Sequence, residues 1–161
     1  MFRGNDVGRK KSWTEKLEDS KNLPRVEKIT EKMSRKWGSG TVVIPAPKEV
    51  YGLMEKVPFG QITTINEIHS ALARKHGGTI ACPICTGIFA RIAAGAAEEQ
   101  KGRGREITPY WRTLKVGGVI NDKYPAGVEE QKRILQNEGH RVAQKGKKYV
   151  VADFEKSLAT L

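Results

Sequence analysis

Two helical stretches joined by a short, glycine-bearing connection constrain this chain most. Thr64 caps the first, and Ile65, Ile68, Leu72 and Ala73 follow at helical spacing. His76-Gly77-Gly78 ends it, because glycine leaves a helix at little steric cost. The second is expected over about 83–97, with Pro83 in its first turn and Ile84, Ile88, Ile92 and Ala96 on one face. Helix, connection, helix is the organisation of a helix-turn-helix, although Gly77-Gly78-Thr79-Ile80-Ala81 is longer than a tight turn.

The flanks are punctuated by caps and turns. Ser12 followed by Glu15 is a capping-box pattern that starts a short helix near 13–19. Val26, Ile29, Met33 and Trp37 give an amphipathic helix over 25–37, ended by Gly38-Ser39-Gly40. Residues 1–10 are polar and basic, and disorder is expected there. Pro45 and Pro47 open a helix through Val50, Leu53 and Met54, and 57–60 is a turn. Loose alternation over 108–119 around Gly117-Gly118 suggests a hairpin or wing. A helix is expected over 128–138, with Val128, Ile134 and Leu135 inward. Residues 141–143 and 149–152 flank Gln144-Lys145-Gly146-Lys147 as a basic hairpin, and Asp153 caps a last short helix through Leu158. The sum is a mainly α fold with small β. A winged helix-turn-helix domain over 41–161 follows a basic, partly helical extension over 1–40.

A chain of 161 residues suits one domain with such an extension, and it can bury a core without staples. No apolar run approaches the roughly 20 residues that span a bilayer. No secretory h-region is visible, and two cysteines make no disulfide framework, so a cytoplasmic, nucleoid-associated protein is expected. The formal net charge of +11 attracts polyanions. It is clustered: Lys101, Arg103, Arg105, Arg112 and Lys115 stand against Glu106 alone. Lys132, Arg133, Arg141, Lys145, Lys147 and Lys148 stand against Glu138 alone. Clustering of this kind is the footprint of phosphate contacts.

Ile107-Thr108-Pro109-Tyr110-Trp111-Arg112-Thr113-Leu114 resembles the Pro-Cys-His-Arg segment of the alkylguanine-DNA alkyltransferases. The resemblance extends over roughly residues 45–141. Residues 57–63 look like the approach to that family's DNA-binding helices, and Thr86-Gly87-Ile88-Phe89-Ala90 sits where its recognition helix begins. Tyr124-Pro125-Ala126-Gly127 resembles the loop that closes over the flipped base. Gln131 to Leu135 with Glu138-Gly139-His140 resembles the closing helix. The resemblance implies a scaffold in which a cysteine, activated by an adjacent histidine, takes an alkyl group from a flipped guanine.

Here Tyr110 replaces that cysteine and Trp111 the histidine. The family's inserting arginine falls at Thr86, its phosphate-rotating tyrosine at Ile65 and its hinge asparagine at Gly95. Glu138 is the retained member of the relay. The logic is that of the alkyltransferase-like proteins, which lack the cysteine, bind alkylated guanine and pass the lesion on. They usually keep the histidine, so Trp111 is a further departure.

No catalytic residue is therefore assigned. A phenol has a pKa of about 10 and is a hard nucleophile, and an indole has no basic nitrogen. Tyr110 and Trp111 either stack on a base or serve as core side chains. The expected lesion pocket comprises Tyr110, Trp111, Arg112, Tyr124, Gly127 and Glu138. The expected DNA contacts are Gln61, Thr63, Thr64, Thr86, Gly87, Arg91, Arg103 and Arg105, with His140 at the surface. Cys82-Pro83-Ile84-Cys85 lacks a second ligand pair for zinc, so buried cysteines at a helix start are expected, and neither metal nor cofactor is assigned. The expected partners are duplex DNA and a downstream repair protein, with the chain itself monomeric. The rivals are an active methyltransferase working through Cys82 or Cys85, and a winged-helix transcription regulator.

Overall fold

Thr30 breaks what periodicity alone joins into one helix. In the computed structural model, which describes residues 10–104 and 106–161, the segment expected as a helix over 25–37 divides in two. Arg25–Lys28 is a strand (β1), and Glu31–Trp37 is a helix (α2) whose first turn donates from the Met33 amide to the Thr30 hydroxyl. β1 pairs antiparallel with β2 (Thr41–Ile44), placing Val26 opposite Val43. β2 in turn pairs parallel with β4 (Ile80–Ala81). Three strands thus satisfy their backbone groups in one sheet, which outweighs the weak helical bias of four exposed residues. The sheet joins residues on both sides of position 40. Of the disorder expected over 1–10, residues 1–9 fall outside the described residues, as does Arg105 with its expected phosphate contact.

Six α-helices are present among the described residues. α1 (Trp13–Glu18) has the full Ser12/Glu15 capping box. α3 (Pro47–Glu55) begins at a proline, as expected. α4 (Ile65–His76) is capped by Thr64 and ends on Gly77, whose φ of 66° is left-handed. α5 (Pro83–Lys101) is the longest helix, and α6 (Gly127–Asn137) follows the 124–127 turn.

α5 differs from the sequence-based expectation in the face it buries. Thr86, Ala90, Ala93 and Ala97 go inward, while Ile84 and Ile88 point to solvent. Small side chains let α3 and α4 approach closely, and that close packing outweighs the larger transfer energy of two isoleucines. The main core, with Val50, Met54, Ile68 and Leu72, forms against this alanine stripe.

Residues 108–119 also differ from the expected hairpin. Tyr110–Arg112 is one 3₁₀ turn and Val116–Gly118 another, and β5 (Thr113–Leu114) pairs parallel with β3 (Thr63–Thr64). A single bridge, Lys115 to Val119, is what remains of the hairpin. The basic hairpin does form, as β6 (Val142–Lys145) and β7 (Lys148–Val151) around Gly146. It covers a second core of Ile62, Leu114, Ile120, Leu135 and Val151. The last helix is one 3₁₀ turn, Phe154–Ser157, without a side-chain cap from Asp153.

Candidate functional site

The 3₁₀ turn Tyr110–Arg112 lies between the two cores, and Trp111 packs against both. Tyr110 is 1% exposed. Its hydroxyl donates to Glu98 Oε2 at 2.7 Å, a partner on α5 that no sequence motif marks. Burial, and then the Glu98 carboxylate beside it, push the Tyr110 phenol above its ordinary value of 10. The ring meets Tyr124 edge-on at 5.4 Å and Trp111 at 5.5 Å. Of the two roles open to Tyr110, the core role is the one this arrangement fits. Neither Tyr110 nor Tyr124 offers an open ring face.

Glu138 organises the rest of the expected pocket. Its Oε2 accepts from Trp111 Nε1 at 2.8 Å, and its two oxygens accept from Arg112 Nε at 2.8 Å and Nη2 at 3.0 Å. Arg112 Nη1 also donates to the Val57 carbonyl at 2.8 Å. The fork geometry is bidentate and both side chains are largely buried. Tyr110, Trp111, Arg112, Tyr124 and Glu138 are thus brought together, with Gly127 at the start of α6 nearby. They form a closed, hydrogen-bonded cluster and not a lined cavity. His140 is buried, not at the surface, and its Nε2 has no partner among the described residues. Burial pushes its pKa below the ordinary 6.5.

The expected DNA contacts divide. Gln61, Arg91 and Arg103 are exposed, and Gly87 is half-buried with open space before it. Thr63, Thr64 and Thr86 are buried. Thr63 lies opposite Thr113 in the β3–β5 pair, Thr64 caps α4, and Thr86 donates its hydroxyl to the Cys82 carbonyl at 2.8 Å. Their hydroxyls therefore face the interior and present nothing to a phosphate.

The cysteines sit at the start of α5, against the β1–β2–β4 sheet and away from Tyr110. Cys82 Sγ accepts from the Cys85 amide at 3.2 Å as the helix cap. Burial and the neighbouring Cys82 push the Cys85 thiol up to about 12, the opposite of an activated nucleophile.

The surface that does face solvent is a groove of about 620 Å³ along the first turns of α5. Pro83, Ile84, Gly87 and Ile88 form one wall, and Val116 and Val119 the other. Lys115, Lys123, Lys148 and Arg91 stand around it. The sequence signal for the opposite, packed side is the helical spacing of the small residues Thr86, Ala90, Ala93 and Ala97.

Beyond Arg91 the same face of α5 is covered by the N-terminal extension. The Trp13 indole lies on Gly95, the position of the expected hinge. Glu99 accepts from the amides of Trp13 and Thr14 at 3.0 and 2.8 Å, tying the start of α1 to α5. The Arg91 guanidinium carbon lies 5.7 Å from the Trp13 ring centre.

No family model and no curated protein matches the sequence. Two solved structures are similar to it. One is S. pombe Atl1 in complex with damaged DNA containing O6-carboxymethylguanine, at 21% identity and a TM-score of 0.50, covering 71% of this chain and 94% of that one. The other is S. pombe ATL in complex with DNA, at 20% identity and a TM-score of 0.46 over the same shares. The mainly α architecture with small sheets is common to this chain and Atl1, so the protein has an alkyltransferase-like fold.

Proposed function

We propose that this protein binds duplex DNA carrying an alkylated or otherwise damaged guanine, extrudes the base and holds it without transferring the alkyl group. One observation carries the reading: Tyr110, which the resemblance puts at the acceptor position, is a buried phenol, hydrogen-bonded to Glu98 and kept protonated at neutral pH. A protonated phenol is a poor nucleophile, and the adjacent Trp111 nitrogen is a donor already engaged by Glu138. The basic face supplies a site for phosphates, and the fold shared with Atl1, solved on damaged DNA, supports a duplex as the ligand. Residues 124–127 are the segment that moves to admit a base beside Trp111 and Arg112, breaking the Tyr110–Tyr124 contact. The held complex then marks the lesion for a second repair protein.

The test is binding to matched duplexes, with and without an O6-alkylguanine, across a salt series. With about five phosphates neutralised, the logarithmic slope is about −4.5. Tighter binding to the lesion duplex, with no change in the protein's intact mass, is the expected result. Equal affinity for both duplexes defeats the lesion reading. A mass gain on Cys82 or Cys85 installs the methyltransferase reading instead.

A further inference from the structure

We propose that Ile84 and Ile88 form an apolar wedge that enters the base stack of the bound duplex from its minor groove. The inference rests on the DNA-binding reading above and names the side chains that open the stack. The resemblance would give that task to an arginine at position 86. Thr86 cannot perform it, being wholly buried with its hydroxyl bonded to the Cys82 carbonyl.

The side chains that do project are its neighbours. Ile84 is 58% exposed, Ile88 53%, and Val116 faces them across the groove at 59%. Residues four apart on a helix lie one above the other, so Ile84 and Ile88 form a ridge about one turn long. Gly87 leaves the helix bare beside that ridge: a Cβ there would meet nothing within 4 Å. Another backbone or base edge can therefore approach closely.

Exposed isoleucines on a soluble helix are a liability unless something covers them. The charges around the groove identify the cover. Lys115, Lys123, Lys148 and Arg91 flank it, and among the described residues no carboxylate lines it, Asp122 standing outside the lining at 3.8 Å from Lys115 Nζ. A second copy of this chain, at net +11, would be repelled by such a face, whereas a polyanion is drawn to it. The ligand that combines an anionic exterior with flat apolar faces inside is a nucleic acid duplex. Apolar side chains inserted between base steps from the minor groove unstack and kink DNA in this way. Unstacking beside a lesion also lowers the cost of extruding it.

The experiment uses the full chain and a duplex with a fluorescent purine analogue that brightens on unstacking, placed beside an O6-alkylguanine. Wild-type protein should brighten it on binding. Ile84→Ala combined with Ile88→Ala should abolish the brightening and weaken binding about tenfold. The salt slope should hold, because no charge is removed. Both side chains are more than half exposed and alanine favours helix, so the variant keeps its circular dichroism melt. Should it melt early, Ile88→Ala alone carries the same test. Equal brightening by variant and wild type overturns the wedge and leaves the DNA-binding reading standing. Failure of the wild type to bind any duplex overturns both. Concentration-dependent dimerisation that disappears in the same variant would assign the face to a second copy and refute the wedge.

Discussion

Gly95→Ala is the substitution whose sign tests how α1 sits on α5. On an isolated helix, alanine in place of a mid-helix glycine stabilises by about 1 kcal/mol. Here the added Cβ would fall within 3.0 Å of Cγ, Cδ1 and Cδ2 of the Trp13 indole. These atoms belong to a rigid ring on a helix whose first amides are held by Glu99, so the ring cannot swing aside cheaply. Overpacking of that kind costs roughly 1–3 kcal/mol. The net effect is a loss of about 0–2 kcal/mol, or at 161 residues a fall in Tm of a few degrees, at about 2–4 °C per kcal/mol. In a Trp13→Ala background the obstruction is gone, and the same Gly95→Ala change should stabilise by about 1 kcal/mol. The two substitutions therefore couple by about 1–3 kcal/mol, which a double-mutant cycle from urea unfolding measures directly. If Gly95→Ala raises stability equally with and without Trp13, the indole does not rest on α5.

Two further perturbations probe the Glu138 cluster and the buried His140 beyond it. Glu138→Ala leaves Arg112 partly buried and removes the bond to Trp111 Nε1, so it should cost about 3–5 kcal/mol by urea unfolding; a change below about 1 kcal/mol would mean the cluster is solvated. For His140, burial lowers the folded pKa below the ordinary 6.5, so as pH falls through that value the unfolded chain takes up a proton that the native state does not. Stability is thus full above about pH 6.5 and declines below it, and His140→Asn should flatten that decline; an unchanged pH profile would refute the assignment.

Local rules found the elements whose formation is itself local. The Ser12 box, the Thr64 cap and the turn at Gly146 each rest on residues adjacent in sequence, and each was legible. The errors arose where distant partners decide. Nothing within Arg25–Lys28 announces that Val42 and Val43 will pair with it. The isoleucine face of α5 is the one that periodicity and transfer energy assign to the core, because isoleucine outranks alanine there. Helix approach ranks them in reverse, and α3 and α4 lie on the alanine side. The candidate site was legible as a set of residues, since Tyr110, Trp111, Arg112, Tyr124 and Glu138 do meet. Its closed state was not, because it depends on Glu98, whose role follows from the turn of α5 and from no motif.

On the proposed reading, that closure is what separates binding from chemistry. A glutamate that the resemblance places in a catalytic relay here holds an indole N–H and a guanidinium, both of which are donors only. Three bonds from Arg112 join the end of α3, the 3₁₀ turn and the end of α6 into one brace. Such a brace engages both oxygens of Glu138 with donors, so that this carboxylate is not paired with a base beside Tyr110. The charge-driven part of the proposed DNA affinity then comes from Arg91 and the lysines around the exposed face of α5, a groove that none of the braced residues lines. A substitution in the brace should accordingly change stability far more than the salt slope of DNA binding. A substitution at Lys115 or Lys148 should do the reverse, lowering the slope by about 0.9 for each phosphate that no longer has its lysine.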